Sequence, residues 1–284
     1  VIINPYAFGG GGGGGSYLDG LAVTPRMALS MKKKLISTAT NAYRVRESAG
    51  STEQDIGFSG GAVDSSALAS FVGSNSGYLR ALYDQTGNGE DAYQATAANQ
   101  PRLVNAGVAD AMATPDGSSD SLKIDSLTTG AAQVGIYMKF KMPTGSGVKI
   151  LFEQSTNYNS NTQDFVVYYD GSLSNKLNVA MQNGVGAIHQ FSYAVTPGAS
   201  VLLSLLLDRT QTGTGEALAW VNGSTVGGGF PGGTTEQTGV FSSYDCYLFA
   251  RAGTSLYADG GLESLVTYNA DTSAIRTAIE SIMA

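Results

Sequence analysis

Hydrophobic and polar positions alternate through most of the second half of the chain. In Gln133–Met142, Val134, Ile136, Met138, Phe140 and Met142 alternate with polar or small residues, apart from Tyr137. A period of two marks a half-buried strand. Further strand-like runs are Val148–Glu153, Asp164–Tyr169, Lys176–Met181, Ala187–Tyr193, Val201–Asp208, Glu216–Val221, Tyr244–Ala250 and Leu262–Tyr268. Gly, Asn, Ser or Pro punctuates nearly every gap, so the pattern predicts an antiparallel sandwich or barrel. Val201–Leu207 is nearly all apolar, which places it centrally with both faces buried. Asn222-Gly223 predicts a tight hairpin after Trp220-Val221.

The first half is less regular. Met27, Met31 and Leu35 recur at i, i+4 and i+8 after Pro25, which predicts a short helix within Leu21–Ile36 and turns Lys32–Lys34 outward. Ala42–Arg46 alternates like a strand. Asp64 precedes Ser65–Phe71 as a helix N-cap, with Gly73 as its C-cap. Near the other end, Asp271 or Thr272 caps a helix whose stripe is Ile275, Ala278, Ile279 and Ile282. Val1–Phe8 is apolar and uncharged, and seven glycines, Gly9–Gly15, follow it. Such a run is a flexible tether. The predicted organisation is a docking arm at 1–8 carrying Ile2, Ile3, Tyr6 and Phe8, a linker at 9–16, and one domain at 17–284.

Composition narrows the chemistry. Of 284 residues only 14% are charged and the formal net charge is −7, which argues against nucleic acid as a partner. The 38 glycines stand beside 15 Tyr and 10 Phe, a mixture that suits a compact β-rich fold rather than disorder. A single Cys and a single His exclude a disulfide framework, a multi-Cys zinc site and any centre needing two imidazoles. Apolar runs fall short of a membrane span, and the start lacks the basic and apolar regions of a signal peptide. His189 and Cys246 sit in strand-like runs, and no G-x-S-x-G elbow is present. The Asp116–Asp125 stretch is rich in Asp but lacks the spacing of a known calcium loop. No cofactor and no metal site is expected.

Tyr43–Phe58 (YRVRESAGSTEQDIGF), Leu82–Gln94 (LYDQTGNGEDAYQ), Ala217–Val226 (ALAWVNGSTV) and Leu248–Met283 carry a resemblance. They resemble a concanavalin A-like jelly roll found in tailed-phage virion proteins, and the opening of the α-L-arabinofuranosidase B catalytic domain. The resemblance implies an all-β, concanavalin A-like antiparallel jelly-roll sandwich with short peripheral helices and an extended arm. In and just after Tyr83–Gly89 (YDQTGNG), Asp84, Glu90 and Asp91 invite an acid–base reading, but Asp and Asn beside glycines more often hold a turn. Tyr83 is expected in the core.

A glycosidase needs two carboxyls across the sugar. The resemblance places the nucleophilic Glu in a V-D-M-E-N strand, matched here by Val179–Asn183, which reads V-A-M-Q-N. Gln182 then stands at the nucleophile, and Ala250–Ser255 lacks the general acid, with Asp259 and Glu263 nearby. The expectation is therefore no catalytic residue and no enzyme. The chain is read as a virion-surface protein, on tail or head, displaying a lectin-like domain for host-surface attachment. Its partners would be other virion proteins, further copies of itself and a host glycan. A glycoside hydrolase and a free carbohydrate-binding module are the alternatives. Tyr158 in the loop Ser155–Gln163, with Gln182 and Asn183, is the candidate glycan contact, an aromatic platform beside amides.

Overall fold

The computed structural model describes residues 17–182, 188–226 and 238–284. The expected arm residues Ile2, Ile3, Tyr6 and Phe8, the polyglycine linker and Asn183 lie outside the described residues. In chain order the first strands are β1 (Met27–Ser30), β2 (Asn41–Glu47), β3 (Glu53–Ser59) and β4 (Ala62–Val63), then helix α1 (Ser65–Val72). Next come β5 (Gly77–Leu82), β6 (Ala92–Tyr93), β7 (Arg102–Asn105), β8 (Val108–Thr114) and β9 (Leu122–Ile124). The regular half holds β10 (Gln133–Lys141), β11 (Val148–Gln154), β12 (Asp164–Asp170), β13 (Lys176–Gln182), β14 (Ile188–Ala194) and β15 (Ser200–Asp208). It continues with β16 (Ala217–Val221), β17 (Ser224–Thr225), β18 (Cys246–Leu248), β19 (Gly261–Tyr268) and helix α2 (Arg276–Met283).

Two antiparallel sheets stack face to face. The back sheet runs β1-β19-β10-β15-β16-β17. The front sheet runs β3-β2-β5-β6-β9-β18-β11-β12-β13-β14, with the β7–β8 ribbon joined to β5. The alternating apolar residues meet between them: Val134, Ile136, Met138, Phe140, Leu203, Leu205 and Leu207 from the back, Phe152, Phe165, Val167, Val179 and Met181 from the front. This is the expected jelly-roll sandwich. β15 lies between β10 and β16, the central place its apolar run requires. Its second face is covered too, because Leu202 packs with Tyr137, Val266, Tyr268 and the α2 residues Ile279 and Met283. Asn222 (φ 50°) and Gly223 (φ 78°) make the turn between β16 and β17, which only a sequence tolerant of positive φ permits.

Helix α1 matches its cap signals. Asp64 accepts from the Ala67 N–H at 2.9 Å, and Gly73 ends the helix at φ 58°. Leu21–Ile36 is not a helix. Met27–Ser30 forms the edge strand β1 on β19, with every side chain buried. Met27 and Leu29 face the main core while Ala28 and Leu35 face the α2 layer, so two buried faces were read as one helical stripe. The Tyr83–Gly89 motif works as a brace. Asp84 Oδ1 accepts from Ala28 N at 3.0 Å and from Thr86 N at 3.1 Å, and Gln85 Oε1 accepts from Leu35 N at 2.6 Å. Tyr83 is half-buried rather than in the core, and its hydroxyl donates to Asp55 at 2.6 Å.

Candidate functional site: the outer face of the front sheet

Along each front strand, alternate residues point away from the core, and directly paired residues share a face. One row of such pairs crosses the whole front sheet. It reads Asp55, Arg44, Ala81, Tyr93, Lys123, Tyr247, Glu153, Val166, Ala180 and Gln190. The row is polar and aromatic through its first half and carries a buried acid near its middle. Asp164 lies diagonally from Glu153, two residues before Val166 on β12, and pairs with Gln182 on β13. Diagonal neighbours lie roughly 7–8 Å apart at Cα.

Glu153 and Asp164 are both fully buried. Glu153 Oε1 accepts from the Ser155 hydroxyl and the Tyr158 N–H, both at 2.9 Å, and Oε2 accepts from Arg251 Nε at 3.3 Å. Neither oxygen of Asp164 has a well-formed hydrogen bond, the Ser155 hydroxyl beside it being turned to Glu153. Its pKa is pushed up to about 7, first by burial and then by the Glu153 charge, while the Arg209 charge and the neighbouring Ser155 hydroxyl pull the other way. Arg209 is itself buried. Its Nη2 donates to the Gln182 carbonyl at 2.8 Å, its guanidinium lies 4.4 Å from the centre of the Phe241 ring, and burial lowers its pKa to about 10. One carboxyl is therefore held by three donors and its neighbour is left bare. Burial therefore favours the neutral form of Asp164 beside a carboxyl that three donors hold.

The loop Ser155–Gln163 covers this pair. Tyr158 stacks on Tyr168 with centroids 6.1 Å apart, and the Arg251 guanidinium lies 5.0 Å from the Tyr158 ring. With its amide turned so that the nitrogen faces the loop, the orientation its neighbours require, Gln182 donates to the Asn161 carbonyl at 3.1 Å and meets that of Tyr158. The structure thus brings Tyr158 and Gln182 together, with Gln182 tying the loop down. Glu153, Asp164 and Arg251 were missed because cross-strand register is not written in spacing. The available signal was an acid at the end of each of two apolar strands, Val148–Gln154 and Asp164–Asp170.

Other candidates fall elsewhere. Asp259 accepts from Thr144 through both N–H and hydroxyl, and Glu263 pairs with Lys32 and Lys139, so neither joins the pair. Cys246 is buried, and burial raises its pKa. His189 lies on β14, but its side chain is outside the described residues. Asp116 spends its oxygens on the N–H groups of Ser118, Ser119 and Asp120 and on the Ser118 and Ser119 hydroxyls. Among the described residues no cluster of His, Cys, Asp and Glu could hold a metal ion. A cavity of about 590 Å³ sits at another place on the same face, between Arg46, Tyr78, Arg102 and Asp120. It is removed from the acid pair, though Asp120 is likewise raised to about 7, by burial and by the Asp116 charge.

Solved structures match this architecture over nearly the whole chain. The sandwich is similar to that of arabinofuranosidases. An arabinofuranosidase in complex with arabinofuranosyl-α-1,2-xylobiose is 14% identical with a TM-score of 0.70. A family 54 α-L-arabinofuranosidase soaked with a cyclic sulfate inhibitor is 14% identical at 0.68. A glutamate-to-glutamine variant of such an enzyme, soaked with 4-nitrophenyl α-L-arabinofuranoside, is 16% identical at 0.68. Each match covers 92% of this chain and 62% of the other, so the chain spans about three fifths of their length. No protein-family model and no curated protein matches the sequence.

The expectation of no enzyme is corrected by these matches, which are to glycoside hydrolases. Gln182 itself carries no carboxylate, and the residue paired with it on the adjacent strand is Asp164.

Proposed function

We propose that this chain is a glycoside hydrolase acting on α-L-arabinofuranosides, with Asp164 and Glu153 as its working acids. The observation that carries the reading is the bare, neutral-poised Asp164 beside the triply bonded Glu153 on the outer face of the front sheet. Its support from outside the chain is the likeness to arabinofuranosidase folds. In this reading the protonated Asp164 carboxyl donates its proton to the leaving-group oxygen as the bond from that oxygen to the anomeric carbon breaks; a water then bonds to the anomeric carbon and its proton returns to Asp164. The Glu153 carboxylate opposes the positive charge that develops at the anomeric carbon. Arg251 and Ser155 hold Glu153 in place. Because both acids are buried under Ser155–Gln163, the loop must lift for a sugar to enter. The test is release of 4-nitrophenol from 4-nitrophenyl α-L-arabinofuranoside. Asp164→Asn and Glu153→Gln should each lower kcat by 10²–10⁴-fold, the usual range for acid–base groups. Turnover unaffected by either change, or absent from the unaltered chain, overturns the assignment.

A second reading concerns the setting of the domain and rests on the sequence of Val1–Gly15. An apolar peptide on a seven-glycine tether suits strand addition or groove filling on a partner. We propose that it attaches copies of this domain to the surface of a phage virion, where the sandwich meets host glycans. Removing residues 1–15 should leave a folded domain that no longer enters particles. Particles still carrying the truncated protein at full occupancy refute it.

A further inference from the structure

The row of paired residues does not stop at the acid pair. From Glu153 it passes Tyr247, Lys123 and Tyr93 and reaches Ala81, four strand spacings away, or about 19 Å at ~4.8 Å each. Ala81 is the one small residue in this stretch. Its methyl leaves a cavity of about 260 Å³ walled by Arg44, Arg80, Tyr83, Tyr93 and Asp91. At about 30 Å³ per water, this is room for roughly nine waters, enough for a sugar ring with its hydroxyls.

The walls also fix the chemistry of the occupant. Arg44 is already bound to Asp55 through Nε at 2.7 Å and Nη2 at 3.0 Å, and Arg80 approaches Glu53 at 3.5 Å. Lys123, on the path between, is held by Asp245 at 2.8 Å and Asp125 at 3.2 Å. Each cation on this track is offset by a carboxylate, so an anionic polymer finds no unmatched cation. Tyr93, Tyr247 and Tyr83 remain as half-buried rings with polar tips. Aromatic faces beside paired donors and acceptors suit the apolar faces and hydroxyls of neutral sugars.

We propose that the Ala81 cavity is a distal binding subsite for a neutral pentosan chain that crosses the strands from the Glu153–Asp164 pair. The proposal rests on the arabinofuranoside reading for the identity of the sugar, but its test needs no turnover. Binding of soluble arabinoxylan and of free arabinose is measured by calorimetry on the unaltered chain, on Ala81→Trp, which fills the cavity, and on Tyr93→Ala, which removes one wall. Thermal unfolding checks that each variant folds, and Ser224→Ala on the back sheet serves as the control. Arabinoxylan should bind at least tenfold more tightly than arabinose. Ala81→Trp and Tyr93→Ala should each weaken arabinoxylan binding at least tenfold, with Ser224→Ala unchanged. Equal binding by Ala81→Trp and the unaltered chain, or no binding of arabinoxylan by the unaltered chain, overturns the subsite. Loss of 4-nitrophenyl arabinofuranoside hydrolysis alone would strike the acid pair and leave the subsite standing.

Discussion

The two sheets present opposite kinds of outer face. The back sheet's is apolar and sealed: Ala28, Tyr137, Val266 and Tyr268 lie under Ile279 and Met283 of α2, with Leu18 and Leu35 at the margin. Some of its polar groups are matched, as where the Tyr137 hydroxyl donates to Thr272 at 2.9 Å and Ser204 donates to Glu280 at 2.7 Å, while the buried hydroxyls of Ser264 and Tyr268 have no partner, so what sets the front face apart is an unmatched acid. Among the described residues no α-helix covers the front sheet's outer face, which carries Arg44, Tyr93, Lys123, Tyr247 and Glu153 in a single row. It also buries Asp164 with both oxygens unbonded. A sandwich needs only its inner faces to be apolar. Sealing one outer face spends sequence on stability, and leaving the other polar reserves it for a ligand. An uncompensated buried acid on the open side is an expense that stability does not explain.

The widest separation between the faces should appear with pH. Asp164 has a pKa of about 7 when folded, against an ordinary 3.8. Between those values the folded chain binds more protons than the unfolded chain, so stability is highest at acidic pH and falls as pH rises from about 4 to about 7. Three pH units at ~1.4 kcal/mol each put the fall on the order of 4 kcal/mol. Asp120, also raised to about 7, adds a fall of the same sign. Asp164→Asn should therefore remove roughly half of the pH-dependent loss and raise stability at pH 8. Denaturant unfolding at pH 4.5, 6 and 8 measures it. A variant with the same slope as the unaltered chain would mean that Asp164 ionises freely.

The back face should give a smaller effect with no pH dependence. Ile279 is fully buried against the back sheet. Ile279→Ala leaves a cavity there and should cost about 3 kcal/mol, equally at pH 4.5 and pH 8. A cost below 1 kcal/mol would show that α2 is a loose cover, and the contrast between sealed and open faces would collapse.

What could be read from residues alone differs from strand to strand. Strands of seven to nine residues bounded by turn residues were legible, and β10 to β15 fall within a residue or two of their expected limits although β12 is buried throughout. β1 was not, because it has only four residues, all buried, and Met27 with Met31 and Leu35 beyond its end mimics a helical period. The site was harder still. Tyr158 and Gln182 were found as residue types, but their joint task, a loop tied over two acids, depends on Gln182 facing Asp164 across a strand pair. Along β13 alone the position carries only the Gln182 amide. The carboxyl beside it became visible with register.

The smallest expected effect concerns that loop, and it separates a cover that opens from one that is merely packed. Tyr158 contributes a stack on Tyr168 and a ring face to Arg251, and its backbone N–H binds Glu153. Tyr158→Ala keeps the backbone bond and loses the two ring contacts, each worth roughly 0.5–1.5 kcal/mol in such settings. Stability should drop by about 1–2 kcal/mol, less than for Ile279→Ala. If the loop lifts as a unit to admit a sugar, the missing ring favours the lifted state. Amide exchange at Tyr158 and Asn161 should then quicken at least tenfold while that of β10 and β15 stays unchanged. Faster exchange throughout the chain would assign Tyr158 to general packing. Unchanged exchange in the loop would show that Gln182 alone holds it closed.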